Sequence, residues 1–270
     1  MKFISSDENR IYKSALKLLQ KKYRDRTGKY IIEGVKSIED ALSTGTSVDC
    51  IFICEGFSHV EREYGVPASV LERKLFRALS DTENTQGMIA VADKGSWDRE
   101  SFAETALKKG VNLVILDRLQ DPGNTGTIIR TAEAAGYGGV ILMKGTADVY
   151  SPKGARSAAG SLFRMPVLQG EEEKDVIEML KSFRKKITVS CLEAGTCFWE
   201  ADMSGDIALV IGNEGSGVSR GFLEASDMKV MIPMKGSIES LNAAVAAGIL
   251  MYQSQKTNNM RGKSYANSTE

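Results

Sequence analysis

The sequence predicts an α/β protein of two domains, on three observations. At 270 residues the chain is longer than the ~100–200 residues of an ordinary domain. Strand-like and helix-like segments alternate in two rounds, one before residue 95 and one restarting at Val111. The strands of the second round, such as 207–211, are near-continuous runs of Val, Ile and Leu, the pattern of a mostly parallel sheet covered on both faces.

The elements follow in order. Ile11, Ala15, Leu18 and Leu19 recur at helical spacing, so the chain should open on an amphipathic helix with its lysines outward. Tyr30 to Ile32 reads as a strand turning at Gly34, followed by a helix over 35–43 and a short strand over 51–53. A helix over 69–79 and a strand over 88–92 close the first round. The polar stretch 94–101 is the candidate linker and leads into a helix over 101–109. The second round reads strand 111–116, helix 125–135, strand 139–143 and helix 153–160. An acidic loop at 171–175 then precedes a helix to about 185 and strands at 187–191 and 207–211. A helix over 219–226, a strand over 230–233 and a helix over 240–253 complete it. The expected division is 1–95, a linker and lead-in helix over 96–109, a second domain over 110–255, and a tail over 256–270. Without apolar periodicity, that tail is expected to be disordered.

Composition excludes several classes. Hydrophobic residues make up 42% and charged residues 26%, as in ordinary globular proteins. No apolar run approaches the ~18–20 residues of a membrane span, and the N-terminus lacks the apolar core of a signal peptide, so a cytoplasmic protein is expected. Cys50, Cys54, Cys191 and Cys197 are too scattered for a disulfide framework, and with His59 as the one histidine they make poor zinc ligands. No metal is expected. Lys+Arg and Asp+Glu balance at 35 each, but residues 1–36 hold ten Lys and Arg against four Asp and Glu. That excess suits a solvated helix face or a phosphate backbone, and composition alone does not decide between them.

Three later stretches carry chemistry. In 121–136, Pro122-Gly123-Asn124-Thr125-Gly126 is a turn feeding a helix N-terminus, where Asn and Thr can cap and free N–H groups can receive an anion. Arg130 follows beside the apolar Ile128, Ile129 and Ala132, so its guanidinium needs a partner, and a ribose phosphate suits its planar fork. In 210–219, Gly212, Gly215 and Gly217 follow an apolar strand and permit close backbone approach to a flat ligand. The spacing is not that of a dinucleotide fingerprint, which disfavours a nucleotide-dependent oxidoreductase. Glu214 inside that turn repels phosphate but suits a positive sulfonium or a ribose hydroxyl. In 232–249, Pro233 marks a strand end, Ser240 is a candidate N-cap, and the helix behind is small and apolar on nearly every face.

Taken together and in this order, DPGNTGTIIRTAEAAG, VIGNEGSGVS and IPMKGSIESLNAAVAAGI resemble the three motifs of the SpoU (TrmH) branch of the SPOUT superfamily, RNA 2′-O-ribose methyltransferases that use S-adenosylmethionine. The resemblance implies a deep trefoil knot in the second domain, an exception to the rule against knots that periodicity does not predict. Through IIEGVKSIEDAL and TENTQGMIAVADK the first domain resembles a ribosomal-protein-like RNA-binding domain. By resemblance Arg130 is the catalytic arginine and Asn124 the asparagine of the first motif, with Glu214, Ser240 and Asn242 at the reacting end. Gly212, Ile232, Met234, Leu241 and Leu192 would line the methyl-donor pocket. Lys153, Arg156 and Arg164 in 151–167, with Lys21, Lys22 and Arg24, are the candidate RNA contacts. The family implies a homodimer in which Arg130 of one subunit reaches the partner's donor pocket. Ribosomal RNA is preferred over transfer RNA as the substrate. A non-catalytic RNA-binding protein with a decayed knot domain is the alternative.

Overall fold

The computed structural model describes residues 1–58, 63–82, 85–192 and 195–260, with the backbone alone for 256–260. His59 lies outside the described residues. The chain divides into two units: Met1–Ser96 with Asp148–Arg164, and Trp97–Ala147 with the residues from Met165 on.

The first unit opens with strand β1 (Lys2–Ile4) and helices α1 (Arg10–Lys17) and α2 (Lys21–Thr27). Asn9 starts α1 by accepting the Ile11 and Tyr12 N–H groups, and Gly28 ends α2 in the left-handed region at φ 68°. Strand β2 (Lys29–Glu33), α3 (Val35–Ser43), β3 (Val48–Cys54), β4 (Ala68–Leu71), α4 (Arg73–Leu79) and β5 (Met88–Asp93) follow. The strands form one mixed sheet in the order β1-β4-β3-β5-β2, with β5 antiparallel to both neighbours. Tyr12, Ala15 and Leu18 on one helical face bury against Phe52, Leu75, Phe76 and Ile89, and the Tyr12 hydroxyl donates to the Leu75 carbonyl at 3.2 Å. The helix expected over 69–79 is thus a strand and a shorter helix, while β1 and α2 were not expected.

The second unit contains α5 (Arg99–Ala106), β6 (Leu113–Asp117), α6 (Pro122–Ala134) and β7 (Gly139–Met143). The chain then rejoins the first unit for residues 148–164, which include α7 (Pro152–Ala158). Back in the second unit come β8 (Val167–Glu171), α8 (Glu173–Ser182), β9 (Lys186–Ser190), β10 (Ile207–Gly212), α9 (Arg220–Ala225), β11 (Met228–Val230) and α10 (Ala243–Met260). Its six strands are all parallel, in the order β11-β9-β10-β6-β7-β8. The mixed α/β architecture with a mostly parallel sheet is as the sequence implied. Strand β8 replaces part of the expected acidic loop. Helix α10 continues through 256–260, residues expected in a disordered tail; residues 261–270 lie outside the described residues. Buried Ser254 on α10 bonds the Tyr137 hydroxyl at 2.9 Å, and Asn112 accepts the Ile207 N–H at 3.0 Å, so polar groups under the helix are satisfied.

Residues 148–164 sit within the stretch expected to form the second domain, yet they pack in the first unit. Arg24, expected as an RNA contact, is only 3% exposed. Its guanidinium donates to Asp148 Oδ2 at 3.0 and 2.7 Å and to the carbonyls of Leu18 and Leu19. Arg164 donates to both carboxylate oxygens of Asp40 at 2.8 and 2.7 Å, and Arg156 to Asp81 at 2.9 Å. The Tyr150 ring meets Tyr30 edge-on at 4.9 Å, and burial pushes the Tyr150 phenol up to about 12.

Removing one partner from a buried pair leaves a charge without compensation. Arg24→Ala is therefore expected to destabilise the first unit by about 3–5 kcal/mol, measured as a lowered urea midpoint; a surface pair such as Lys144–Glu172 should be near neutral when broken.

Candidate functional site

Strands β6 and β10 are parallel neighbours, with Asp117 opposite Gly212 at their carboxyl ends. Their following loops therefore emerge side by side, at the edge where open parallel sheets bind ligands. The β6 loop enters α6, where Asp121 caps the helix by accepting the Gly123 and Asn124 N–H groups at 2.6 and 3.1 Å. Pro122 occupies the first turn, where its missing N–H costs nothing.

The β10 loop folds back on itself. Asn213 and Gly217 exchange backbone hydrogen bonds of 3.0 Å, and Gly217 is left-handed at φ 69°. The Asn213 side chain accepts the Gly215 and Ser216 N–H groups at 2.9 Å and donates to the Arg118 carbonyl at 2.7 Å, which ties this loop to the exit of β6. A Cβ on Gly212 would lie 2.4 Å from the backbone of Gly217 and Val218, so only glycine permits this fold. The far end is held by Asp117, which accepts the Ser219 N–H at 2.6 Å, and by Glu173, which accepts the Ser219 hydroxyl and the Phe222 N–H.

Glu214 joins the two loops and the start of α10. It accepts the Gln120 N–H at 3.0 Å and the Asn124 amide at 3.2 Å. Asn124 in turn accepts the Asn242 amide at 2.9 Å, and Asn242 accepts the Ala244 and Val245 N–H groups. An ionised carboxylate can only accept, so it fixes the direction of the whole chain: Asn124 must present its NH₂ to Glu214 and its oxygen to Asn242. Burial pulls the Glu214 carboxyl up. Hydrogen bonds from the backbone of Gln120, Glu214 and Asp121 and from the Asn124 amide outweigh it and hold the group below the usual carboxylate range. Gln120, Asp121, Pro122, Asn124, Asn213, Glu214 and Gly215 line an open cavity of about 400 Å³ here.

The structure thus brings Asn124, Glu214 and Asn242 together, with Gly212 beneath them. Arg130, read as a cation in need of a partner, is exposed on α6 and has no hydrogen bond or ion pair among the described residues. The N-cap of α10 is Asn242 and not Ser240, which is exposed. Ile232, Met234 and Leu241 are half-buried, and Leu192 is 61% exposed. Of the basic candidates in the first unit, Arg24, Arg156 and Arg164 hold carboxylates as described, and Lys21 pairs with Asp25 at 2.5 Å. Lys153 and Lys22 complete the set; Lys22 is exposed without a carboxylate partner among the described residues. Sequence reasoning missed Asn213, Asp117 and Glu173. Only Asn213 had a signal, its place between two glycine turns in the second motif.

Residues 112–252 match the model of the SpoU rRNA methylase family, and residues 9–90 match that of the MRM3-like substrate binding domain. The chain is 37% identical over 253 residues to the 23S rRNA (guanosine(2553)-2′-O)-methyltransferase RlmP of Bacillus subtilis, covering 93% of this chain and 98% of that protein. It is similar in structure to the AdoMet-bound rRNA methyltransferase of Sinorhizobium meliloti, with a TM-score of 0.84 at 29% identity over 94% of this chain and 97% of that one. The SpoU methyltransferase AviRb of Streptomyces viridochromogenes in complex with AdoMet gives a TM-score of 0.80 at 27% identity, covering 94% and 100%. The chain belongs to the SpoU rRNA methylase family.

Two outcomes follow from this geometry. Gly212→Ala should push the 213–217 turn off its backbone contacts, lowering the thermal midpoint and accelerating amide exchange at Asn213 and Gly217. Because the folded state lowers the Glu214 pKa, its contribution to stability is complete above the ordinary carboxylate value and lost as pH falls through the depressed one. In wild type, acid titration should release this contribution; in Glu214→Gln the thermal midpoint should fall less over the same acid range.

Proposed function

We propose that this chain transfers a methyl group from S-adenosylmethionine to a ribose 2′-hydroxyl of ribosomal RNA. The observation that carries this reading is the single hydrogen-bonded chain Glu214–Asn124–Asn242, which gathers all three motifs at the ends of β6 and β10. The names of the family and of its ribosomal relatives favour ribosomal over transfer RNA.

The residues at this edge fit the donor. An open cavity lined by Gln120, Pro122, Asn124 and Gly215 lies at this edge, and the half-buried Ile232, Met234 and Leu241 offer apolar contact. The turn's anionic Glu214 suits a positive centre nearby. We assign the donor pocket to Gly212, Ile232, Met234, Leu241 and Leu192. S-adenosylmethionine, when bound, supplies an electrophilic methyl group on a positive sulfur. Asn124, Asn242 and Ser240 present amide and hydroxyl groups to the ribose end, and Glu214 keeps the two amides aligned. Alignment of this kind supplies several kcal/mol of a displacement barrier, up to ~7–11 in favourable cases.

Arg130, exposed and without an ion pair among the described residues, serves the reacting nucleotide. Its planar fork grips the phosphate beside the attacking ribose and polarises the 2′-hydroxyl. A guanidinium is a donor only and accepts no further proton, so the hydroxyl proton leaves late, to phosphate or water. We further assign a trefoil knot and a homodimer. Helix α10 packs against α6, and Val245 and Tyr252, seven residues apart on α10, are exposed on one face for a second copy to cover. In that dimer Arg130 serves the partner's donor pocket.

The test is transfer of label from S-adenosylmethionine to unmodified 23S and transfer RNA. Label in one 23S linkage that resists alkali is expected, with loss of at least about 100-fold in kcat/KM, some 2.7 kcal/mol, for Arg130→Lys and unchanged donor affinity. Near-normal turnover of Arg130→Lys would falsify its role, and label confined to transfer RNA would reassign the substrate.

A further inference from the structure

The first unit carries a cationic surface that the loops at the strand ends do not use. Helices α1 and α2 supply it, and their cations fall into two groups. Lys13 pairs with Glu8, Lys21 with Asp25, and Arg24 is buried against Asp148. Arg10, Lys17, Lys22 and Arg26 are exposed and have no carboxylate partner among the described residues. Arg10, Ser14 and Lys17 recur on one exposed face of α1, opposite the buried Tyr12 and Ala15. Half-buried Tyr23 on α2 joins them: Lys17 Nζ lies 5.7 Å from its ring centroid and the Arg26 guanidinium carbon 4.9 Å.

Two properties of this surface point to one ligand. Four uncompensated cations on a chain whose Lys+Arg and Asp+Glu balance at 35 each create a local field that a polyanion relieves. An aromatic ring framed by an ammonium and a guanidinium is a stacking platform, because nucleic-acid bases stack on tyrosine and on the guanidinium plane. An acidic protein would satisfy the charges and leave the ring without a role. Duplex RNA would satisfy them too, but its bases are stacked and paired, so the ring calls for an unpaired one.

We propose that the α1–α2 surface holds a single-stranded segment or loop of the RNA substrate. One unpaired base stacks on the Tyr23–Arg26 pair, and adjacent phosphates lie on Lys17, Lys22 and Arg10. The inference rests on the reading of the chain as an RNA methyltransferase and names where the RNA is held away from the reacting ribose.

The experiment titrates the full chain with an unmodified 23S ribosomal RNA transcript at several salt concentrations, alongside methyl transfer to the same transcript. The variants are Tyr23→Leu, Tyr23→Phe and the triple Lys17→Gln/Lys22→Gln/Arg26→Gln. Loss of the ring in Tyr23→Leu should raise the Kd about ten-fold, within the range of base–aromatic stacking, and Tyr23→Phe should restore it. The triple variant loses the phosphate contacts of Lys17 and Lys22 and should reduce the slope of log Kd against log salt by about 1.4, at ~0.7 per single-strand phosphate. It alters only exposed side chains, so its result does not hinge on folding. A triple variant with the wild-type slope, or Tyr23→Leu binding like wild type, overturns the proposal. Should wild type transfer no methyl group, the activity reading fails while the binding titration still decides the surface. Should wild type methylate the transcript and all variants bind as it does, the surface alone fails.

Discussion

The pairing of β6 with β10 is the constraint from which the site follows. The two strands lie about ninety residues apart in sequence, yet Asp117 stands opposite Gly212 in a parallel ladder. Parallel strands end on the same side, so the loops after them must share an edge of the sheet. Asn213 then stitches the second loop to the carbonyl of Arg118 in the first. With that stitch in place, Glu214 reaches both the Gln120 N–H and the Asn124 amide. The carboxylate sets the polarity of the chain of amides, and the last of them starts α10. Remove the strand pairing and no pair of these groups has a reason to meet.

The same economy of connections shapes the first unit. Neighbouring parallel strands need a crossover, and that between β7 and β8 runs through residues 148–164, which pack in the first unit and not on the six-stranded sheet. The chain therefore passes between the units three times, at 96–97, 147–148 and 164–165. Arg24 on α2 holds Asp148 of the excursion, while Arg156 and Arg164 within it hold Asp81 and Asp40. Positive charge consumed in this way is unavailable to a ligand, which sharpens the role of the cations left over on α1 and α2.

Much of this was legible in the sequence, for identifiable reasons. Buried parallel strands leave continuous Val, Ile and Leu runs, so 139–143 and 207–211 could be read closely. The three motifs located Asn124, Glu214, Asn242 and Gly212 because a tight turn and a helix start each demand particular residue types. Other features were hidden. Strand β8 reads VLQGE, too polar to announce itself, and α2 reads KKYRDRT, a helix without apolar period. Ser240 and Asn242 are both good caps, and only the geometry selects Asn242. Arg24 and Arg164 looked like RNA contacts because their partners, Asp148 and Asp40, are each 124 residues away. Arg130 is exposed while Ile128 and Ile129 beside it are buried, so the partner its guanidinium calls for does not come from the described residues.

The central claim is that Asn124 and Asn242 act as one unit under Glu214 to hold the reacting groups in line. A double-mutant cycle on Asn124→Ala and Asn242→Ala, read in kcat/KM for methyl transfer to 23S ribosomal RNA, tests it most directly. Coupled residues of one network should show a strong shortfall from additivity, with the double variant about as impaired as the worse single one and an interaction energy of at least about 1 kcal/mol. Losses that simply add would mean that the two amides work separately, and the account of a single linked site would be wrong.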